Sequence, residues 1–284
     1  MKKTMVALLF AILACTVFVS CGKNKDASNA EVEPEIGYYI GTSGNTNEYE
    51  INPKAARHPY NLDYFINGDT GVSYEGDENF TTRKGVDVSK WQSNVDWEKV
   101  KAAGYEFAFF RLGYRGYQEG GLFMDETFYQ NMENAGNAGL DLGVYFFSQA
   151  ISEEEAIEEA NFVLDALKNY EIQLPIVYDP EFVYEEDSRT KDLTNEQITK
   201  NSIAFCNIIE KAGYDSMIYA SMYCQAEILD MAELKDYTFW YADYMEKPQT
   251  SYDFTYWQYS DTASVDGIEG NVDVNIQFIP KEDK

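Results

Sequence analysis

Histidine is almost absent from this 284-residue sequence, and its scarcity excludes several kinds of active site. His58, the one histidine, stands beside Pro59 in a polar segment. A nucleophilic triad needs a histidine next to its serine or cysteine, and a zinc centre needs paired histidines or clustered cysteines. We therefore expect neither device, and no cofactor. A hard-cation site built from carboxylates alone remains open.

Basic residues are also few, because 22 lysines and arginines face 49 acids and give a formal net charge of −27. A surface of this sign repels the phosphate backbone, so we expect no nucleic-acid partner. The charge favours solubility, and we expect a monomer. A hydrophobic fraction of 45% is ample for a buried core.

Cysteine is limited to 4 residues, and two of them lie in the N-terminal run. The Lys2-Lys3 pair, an apolar run over residues 5–19 and small Ser20 together predict a secretory signal peptide over residues 1–20. The run is shorter than the roughly 20 residues of a membrane span. It resembles a bacterial lipoprotein signal in which Cys21 receives lipid, with Cys15 as a rival position and ordinary cleavage as the alternative.

The two remaining cysteines, Cys206 and Cys224, give no disulfide framework. We expect two buried free thiols, with a single bridge between them as the alternative.

Composition divides the rest of the chain into three segments. Residues 21–35 are polar and predict a disordered tether. Residues 36–80 form an N-terminal extension, rich in Tyr, Asn and Gly, which either packs on the following domain or stays loose. Residues 81–284 alternate short apolar runs with helical patterns and form the main domain.

The main domain contains eight candidate strands and five candidate helices. The strands are 85–89, 107–112, 142–148, 175–179, 216–221, 238–243, 254–259 and 271–276. The helices are 97–103, 125–138, 153–168, 195–212 and 225–231. Repeated β-helix-β units imply a parallel sheet, and this number of strands predicts an α/β fold, an irregular TIM-like (β/α)5β3 barrel. An open doubly wound sheet is the alternative.

Two acids follow the apolar strand at residues 175–179, in the order Asp179-Pro180-Glu181. Side chains alternate along a strand, so Asp179 and Glu181 share a face. Pro180 cannot donate to a sheet ladder, which places it where the strand ends. Both acids are therefore expected at the C-terminal mouth of the barrel, where enzymes of this architecture keep their active sites.

Alternation also isolates single acids on the first and last strands, Asp87 and Asp273. These strands are neighbours in a closed barrel, so we expect four carboxyl groups in one cleft. Crowded acids raise one another's pKa, which keeps one protonated as a general acid while another stays ionised. Glycoside cleavage requires that division of roles.

Several motifs in order carry a resemblance to a known family. They are Gly85-Val86-Asp87-Val88-Ser89-Lys90-Trp91-Gln92, Asp179-Pro180-Glu181, Trp257-Gln258-Tyr259-Ser260 and Gly270-Asn271-Val272-Asp273-Val274-Asn275. Together they resemble the family 25 glycoside hydrolases, the Chalaropsis-type lysozymes. The resemblance implies an N-acetylmuramidase with Glu181 as proton donor. It also implies Asp179 as nucleophile or as stabiliser of the substrate acetamido group, with Asp87 and Asp273 shaping the site.

Aromatic residues near the strand ends suit a sugar-binding platform. We expect Tyr145, Tyr241 and Trp257 to bind substrate. Arg111 closes an apolar strand, where it either binds substrate or neutralises a cleft carboxylate.

The sequence thus predicts an extracytoplasmic, membrane-anchored hydrolase of the β-1,4 bond between N-acetylmuramic acid and N-acetylglucosamine in peptidoglycan. Two alternatives are a catalytically idle glycan-binding lipoprotein on the same barrel and a two-lobed solute-binding lipoprotein.

Overall fold

The computed structural model describes residues 34–68 and 71–281, which contain thirteen strands and four α-helices. The strands are β1 Glu35–Ile40, β2 Thr46–Ile51, β3 Phe65–Gly68, β4 Gly71–Tyr74, β5 Phe80–Val88, β6 Tyr105–Arg115, β7 Leu122–Met124, β8 Asp141–Phe147, β9 Ile176–Asp179, β10 Ser216–Ser221, β11 Thr238–Ala242, β12 Tyr256–Ala263 and β13 Val272–Pro280. The helices are α1 Trp97–Ala102, α2 Phe128–Asn137, α3 Glu153–Leu167 and α4 Asn195–Lys211. The predicted signal peptide, Cys15, Cys21 and nearly all of the tether lie outside the described residues.

Eight of these strands close into a barrel in the order β5, β6, β8, β9, β10, β11, β12, β13, and β13 pairs with β5 to complete the ring. Neighbours run parallel from β5 through β12. The last strand, β13, runs antiparallel to both of its neighbours. The predicted irregular (β/α)5β3 barrel is confirmed, and every predicted barrel strand is present.

Most predicted boundaries differ from the structure by a few residues, and two of the differences have identifiable reasons. Strand β5 starts at Phe80 instead of residue 85, because the antiparallel ladder with β13 continues to the pair Phe80–Pro280. The predicted fifth helix is a single π-helical turn over Cys224–Ile228, closed by the bond from Leu229 N to Cys224 O at 2.9 Å. Such turns are too short to give a helical hydrophobic period.

Alternation along the strands separates two apolar layers. The inner layer fills the barrel and contains Phe107, Phe109, Val177, Met217, Trp240 and Tyr256. The intervening residues of the same strands face outward and pack beneath the helices. A side chain next to the first turn caps each of the two long helices. Ser152 accepts a hydrogen bond from the Glu155 N–H at the start of α3, and Thr194 accepts one from the Gln197 N–H at the start of α4.

The N-terminal extension is ordered and packs on the barrel. It forms two antiparallel hairpins, β1–β2 and β3–β4, and the chain from Pro34 onward is one compact unit. Tyr60 stacks on Phe278 of β13 at a centroid distance of 4.0 Å, and its hydroxyl donates to Phe254 O at 2.6 Å. Phe65 meets the ring of Trp257 edge to face at 5.3 Å. Aromatic contacts therefore attach the extension to the outer wall.

Cys206 and Cys224 are both free thiols, as expected; Cys206 is buried and Cys224 is half-buried. Within the described part of the chain, no helix is long and apolar enough to cross a bilayer.

The packing of Tyr60 predicts that the extension stabilises the barrel. Tyr60→Ala should lower the free energy of unfolding by about 3–5 kcal/mol, as for other buried aromatic truncations. Tyr60→Phe, which leaves Phe254 O without its donor, should cost about 1–3 kcal/mol. Urea unfolding followed by tryptophan fluorescence measures both.

Tyr38→Ala is the matched control, because Tyr38 lies on the exposed face of β1 with 59% of its surface accessible. It should change stability by less than about 0.5 kcal/mol. Equal losses for Tyr60→Ala and Tyr38→Ala would contradict the packing argument.

Candidate active site

A cleft of about 350 Å³ opens at the barrel rim where the parallel strands end. Its lining includes the four acids expected from the sequence, Asp87, Asp179, Glu181 and Asp273. Asp87 is near the end of β5 and Asp179 ends β9. Asp273 is near the start of β13, and the antiparallel direction of that strand brings it opposite Asp87 in the ladder. The structure therefore brings all four residues together; their roles remain a proposal.

Two oriented amides hold the carboxylate of Asp87. Gln258 Nε2 and Asn275 Nδ2 donate to Asp87 Oδ2 at 2.9 and 2.8 Å. The Gln258 carbonyl oxygen accepts the hydroxyls of Tyr219 and Tyr244, each at 2.9 Å, and the Asn275 oxygen accepts Trp240 Nε1 at 2.7 Å. Because the oxygens are already engaged, both amides must present their N–H groups to Asp87.

The backbone that carries Asp179 and Glu181 is fixed from strand β8. Ser148 N donates to Asp179 O at 2.8 Å. Buried Gln149 donates through Nε2 to Glu181 O at 2.6 Å and accepts from the Thr190 hydroxyl at 3.1 Å. Strand β9 ends at Asp179, directly before Pro180, as predicted. Glu181 is thereby held just beyond the strand while its side chain stays open to the cleft.

Desolvation raises the pKa values of all four acids, and neighbouring charges add to this for Asp179, Glu181 and Asp273. Burial raises the pKa of Asp179 well above its usual range, assisted by the charges of Glu181 and Asp87 and opposed by Arg111. The pKa of Glu181 is raised because surrounding protein replaces water in the recessed site, and the charge of Asp87 adds to this. Burial also raises the pKa of Asp87, against its hydrogen bonds from Asn275 and Gln258. The site therefore keeps protons at pH values where exposed acids lose them.

The carboxyl group of Asp273 is hydrogen-bonded to that of Asp87. Its pKa is raised to about 9, first by burial and then by the charge of Asp87. The hydrogen bond between the two carboxyls lowers the pKa of Asp87 and raises that of Asp273, so protonated Asp273 is the donor.

Asp179 keeps one acceptor free. Its Oδ1 atom is buried and has no hydrogen-bond partner within the ranges 34–68 and 71–281. Buried polar atoms are rarely left unpaired, so this oxygen is available to accept a further hydrogen bond.

Arg111 lines the cleft, and its guanidinium group is paired with Asp125. Its Nε donates to Asp125 Oδ2 at 2.8 Å, and Nη2 lies 2.7 Å from the same oxygen. Its charge lowers the pKa of Asp179. Both expected roles of Arg111, substrate binding and neutralisation of a cleft carboxylate, stay predictions.

The three aromatic residues expected to bind substrate lie on different faces of the barrel strands, one facing the cleft and two facing outward. Tyr145 lines the cleft and meets Trp240 edge to face at 5.9 Å. The expectation for Tyr241 and Trp257 is wrong, because strand alternation turns both outward into the layer beneath the extension, where they are fully buried. Tyr241 donates to Asp243 Oδ2 and Trp257 donates to Asp243 O.

The sequence reasoning missed three contributors to the cleft. Trp91, with 74% of its surface exposed, lines the cleft from a short 3-10 turn capped by Ser89. Gln258 and Asn275 orient Asp87. All three belong to motifs quoted above, but their roles depend on contacts between distant strands.

The cleft acids do not form a metal cage. In the part of the chain that the structure describes, no group of three or more His, Cys, Asp or Glu side chains is placed to hold a metal ion.

Comparison with known proteins gives a family match that covers most of the barrel. Residues 86–268 match the family described as Glycosyl hydrolases family 25. The autolytic lysozyme of Clostridium acetobutylicum is 27% identical over 193 residues, which are 68% of this chain and 55% of the relative. The chain therefore spans little more than half of that relative.

Solved structures agree on the fold. The bacterial lysozyme from Streptomyces coelicolor is 27% identical with a TM-score of 0.56, over 68% of this chain and 90% of that chain. The modular autolysin LytC from Streptococcus pneumoniae gives a TM-score of 0.63 at 22% identity, over 86% of this chain and 61% of that chain. The second likeness concerns the fold alone.

The raised pKa of Asp273 predicts a pH dependence of stability. Between the ordinary carboxyl pKa near 4 and about 9, the folded state holds a proton that the unfolded state has lost. Stability should therefore fall as pH rises through this window. Asp273→Asn cannot titrate, so its urea midpoint should fall less steeply than that of the wild type between pH 5 and pH 9.

Asp266→Asn, at an exposed acid on the preceding loop, is the control and should follow the wild-type curve. Parallel curves for Asp273→Asn and the wild type would show that Asp273 is ionised in the folded protein.

Proposed function

The chain belongs to glycosyl hydrolase family 25, and from this premise we propose that it hydrolyses the β-1,4 bond between N-acetylmuramic acid and N-acetylglucosamine in peptidoglycan. The observation that carries the proposal is the pairing of Glu181, a cleft acid with a raised pKa, with Asp179, whose Oδ1 atom is free for a ligand. Several relatives carry lysozyme names, which supports the same substrate class.

Glu181 acts as the general acid in this proposal. Protonated Glu181 gives its proton to the glycosidic oxygen while the bond from that oxygen to the sugar C1 breaks. The raised pKa lets Glu181 keep its proton at higher pH than an exposed glutamate does. In the second step Glu181 takes a proton from water as the water attacks C1, which restores the acid.

Asp179 faces the positive charge that develops at C1. Two roles are compatible with its position: in its ionised form it attacks C1, or a carboxyl oxygen accepts the N–H of the substrate acetamido group, whose carbonyl oxygen then attacks C1. The unpartnered Oδ1 supports the acetamido contact. Both routes give net retention of configuration.

Asp87 and Asp273 set the charge of the site. The donors to Asp87, together with the proton on Asp273, leave few negative charges around Glu181 and Asp179. Arg111 offsets a further part of the charge at Asp179. Tyr145 and the exposed ring of Trp91, which both line the cleft, supply apolar faces for sugar rings.

The test is replacement of the proposed acid. Glu181→Gln should lower the release of reducing ends from purified peptidoglycan at least about 100-fold, the usual contribution of a general acid. Its urea unfolding curve should remain cooperative. Mass spectrometry of the fragments identifies the bond that is cut.

Glu185→Gln, at an exposed acid four residues along the same loop, is the control and should keep wild-type activity. Full activity of Glu181→Gln would remove Glu181 from the acid role. A wild-type protein that binds peptidoglycan without releasing reducing ends would instead be the idle glycan-binding form.

We also propose an extracytoplasmic location with a lipid on Cys21, supported by the signal-like sequence of residues 1–20. In a bacterial expression host, an alkyne-tagged fatty acid should label the wild-type protein. The labelled protein should fractionate with membranes. Cys21→Ser should abolish the label, whereas Cys15→Ser should retain it. Loss of the label in Cys15→Ser with retention in Cys21→Ser would assign the lipid to Cys15. An unlabelled wild-type protein would indicate ordinary signal-peptide cleavage without lipid attachment.

A further inference from the structure

A second groove, of about 580 Å³, adjoins the acidic cleft. Glu181 and Tyr219 line both spaces, so the groove and the cleft meet at the proposed acid. One wall comes from the barrel, through Phe182 and Tyr184 after β9 and Tyr223 after β10. The other wall comes from the N-terminal extension.

The extension wall is the turn of the β1–β2 hairpin, residues 41–45. Gly41 N donates to Asn45 O at 2.9 Å, and Gly44 N donates to Gly41 O at 2.8 Å. Gly44 has φ 78°, a conformation that favours glycine. These bonds give the turn a defined shape next to the groove.

The hairpin is fixed to the barrel at the residue before this turn. Ile40 N donates to Gln249 Oε1 at 2.6 Å, and Gln249 Nε2 donates to Ile40 O at 3.3 Å. Gln249 Nε2 also donates to Asp243 Oδ1 at 3.1 Å, so the contact is anchored in the loop after β11. The position of the turn beside the groove is therefore fixed by hydrogen bonds to the barrel as well as by the bonds within the turn.

The lining suits an uncharged, hydroxyl-rich ligand. Apart from Glu181, the described lining residues carry no formal charge, and they combine tyrosine rings with the side chains of Thr42, Ser43 and Asn47. Tyr184 and Tyr223 are 87% and 47% exposed, so their rings are accessible. Peptide stems of peptidoglycan carry carboxylates, and no lysine or arginine among the described lining residues would pair with them. Stacking faces beside hydroxyl and amide groups are typical of sugar sites.

We propose that this groove binds the leaving-group side of the glycan, with the hairpin turn as a wall that the family domain does not supply. The inference rests on the proposed function. The sugar whose C1 reacts must lie at Asp179, inside the acidic cleft. Glu181 protonates the oxygen that leaves, so the departing sugar extends past Glu181 into the groove. The family match begins at residue 86, after the hairpin. The hairpin would thus favour substrates with at least one intact sugar beyond the cut.

The experiment compares two substrates that differ only on the leaving-group side. One is the tetrasaccharide with two repeats of N-acetylglucosamine and N-acetylmuramic acid. The other is the 4-methylumbelliferyl glycoside of the single repeat, in which a flat dye replaces the leaving sugars. The variants are Tyr184→Ala, Tyr223→Ala and Thr42→Trp, the last of which fills the groove from an exposed position of the turn. Tyr38→Ala is the matched control, an exposed tyrosine on the face of the same hairpin opposite to buried Tyr39.

The three groove variants should lower kcat/KM for the tetrasaccharide about three- to tenfold, the range of one aromatic contact. They should lower kcat/KM for the dye glycoside by a smaller factor, because the dye fills only the part of the groove next to Glu181 that the first departing sugar would fill, and Tyr38→Ala should change neither. Equal losses on both substrates, or no loss on the tetrasaccharide, would overturn the groove assignment while the wild type stays active. A wild type that cleaves neither substrate would overturn the proposed function itself.

Discussion

Desolvation of several carboxyl groups at one end of a closed barrel is the constraint on which this site depends. Four acids from three strands and one loop share the cleft, and Asp87 and Asp179 are buried within it. Each charge then raises the pKa of its neighbours, so the group holds protons that separate surface acids would release. Closure of the ring is essential, because Asp87 and Asp273 lie 186 positions apart in sequence and meet only through the β5–β13 ladder.

Neutral hydrogen-bond donors around Asp87 stabilise its charge among the crowded acids. Gln258 and Asn275 direct amide N–H groups at Asp87, and aromatic hydroxyl and indole groups fix the orientation of each amide. No full positive charge is placed beside Asp87 by these contacts, so its carboxylate is stabilised without a competing ion pair. The arginine of the cleft acts on Asp179 instead and is itself held by Asp125. The charge of Asp87 is therefore stabilised by neutral amides, whereas the pKa of Asp179 is lowered by a nearby arginine.

The N-terminal extension connects stability with the shape of the substrate path. Its tyrosine and phenylalanine rings cover the outward residues of β12 and β13, which would otherwise be exposed apolar surface. The same segment carries the hairpin turn to the mouth of the barrel, where it faces the groove beside Glu181. One addition to the domain therefore performs a packing role on the wall and shapes the region next to the proposed acid.

The order of strands and helices was enough to predict the barrel, and alternation within single strands then predicted the grouping of Asp87, Asp179, Glu181 and Asp273, because both patterns are local and are written in consecutive residues. The same alternation was ambiguous for Tyr241 and Trp257, since a fully buried strand is apolar on both faces and only the closed barrel decides which face is inside. The order of the extension, the exposure of Trp91 and the amide shell around Asp87 could not be read from the sequence, because each depends on contacts between residues far apart in the chain. The sequence by itself determined which chemical groups are present and where each strand carries them; the tertiary structure decided which of those groups meet in the water-poor cleft, where proximity and burial give them their chemistry.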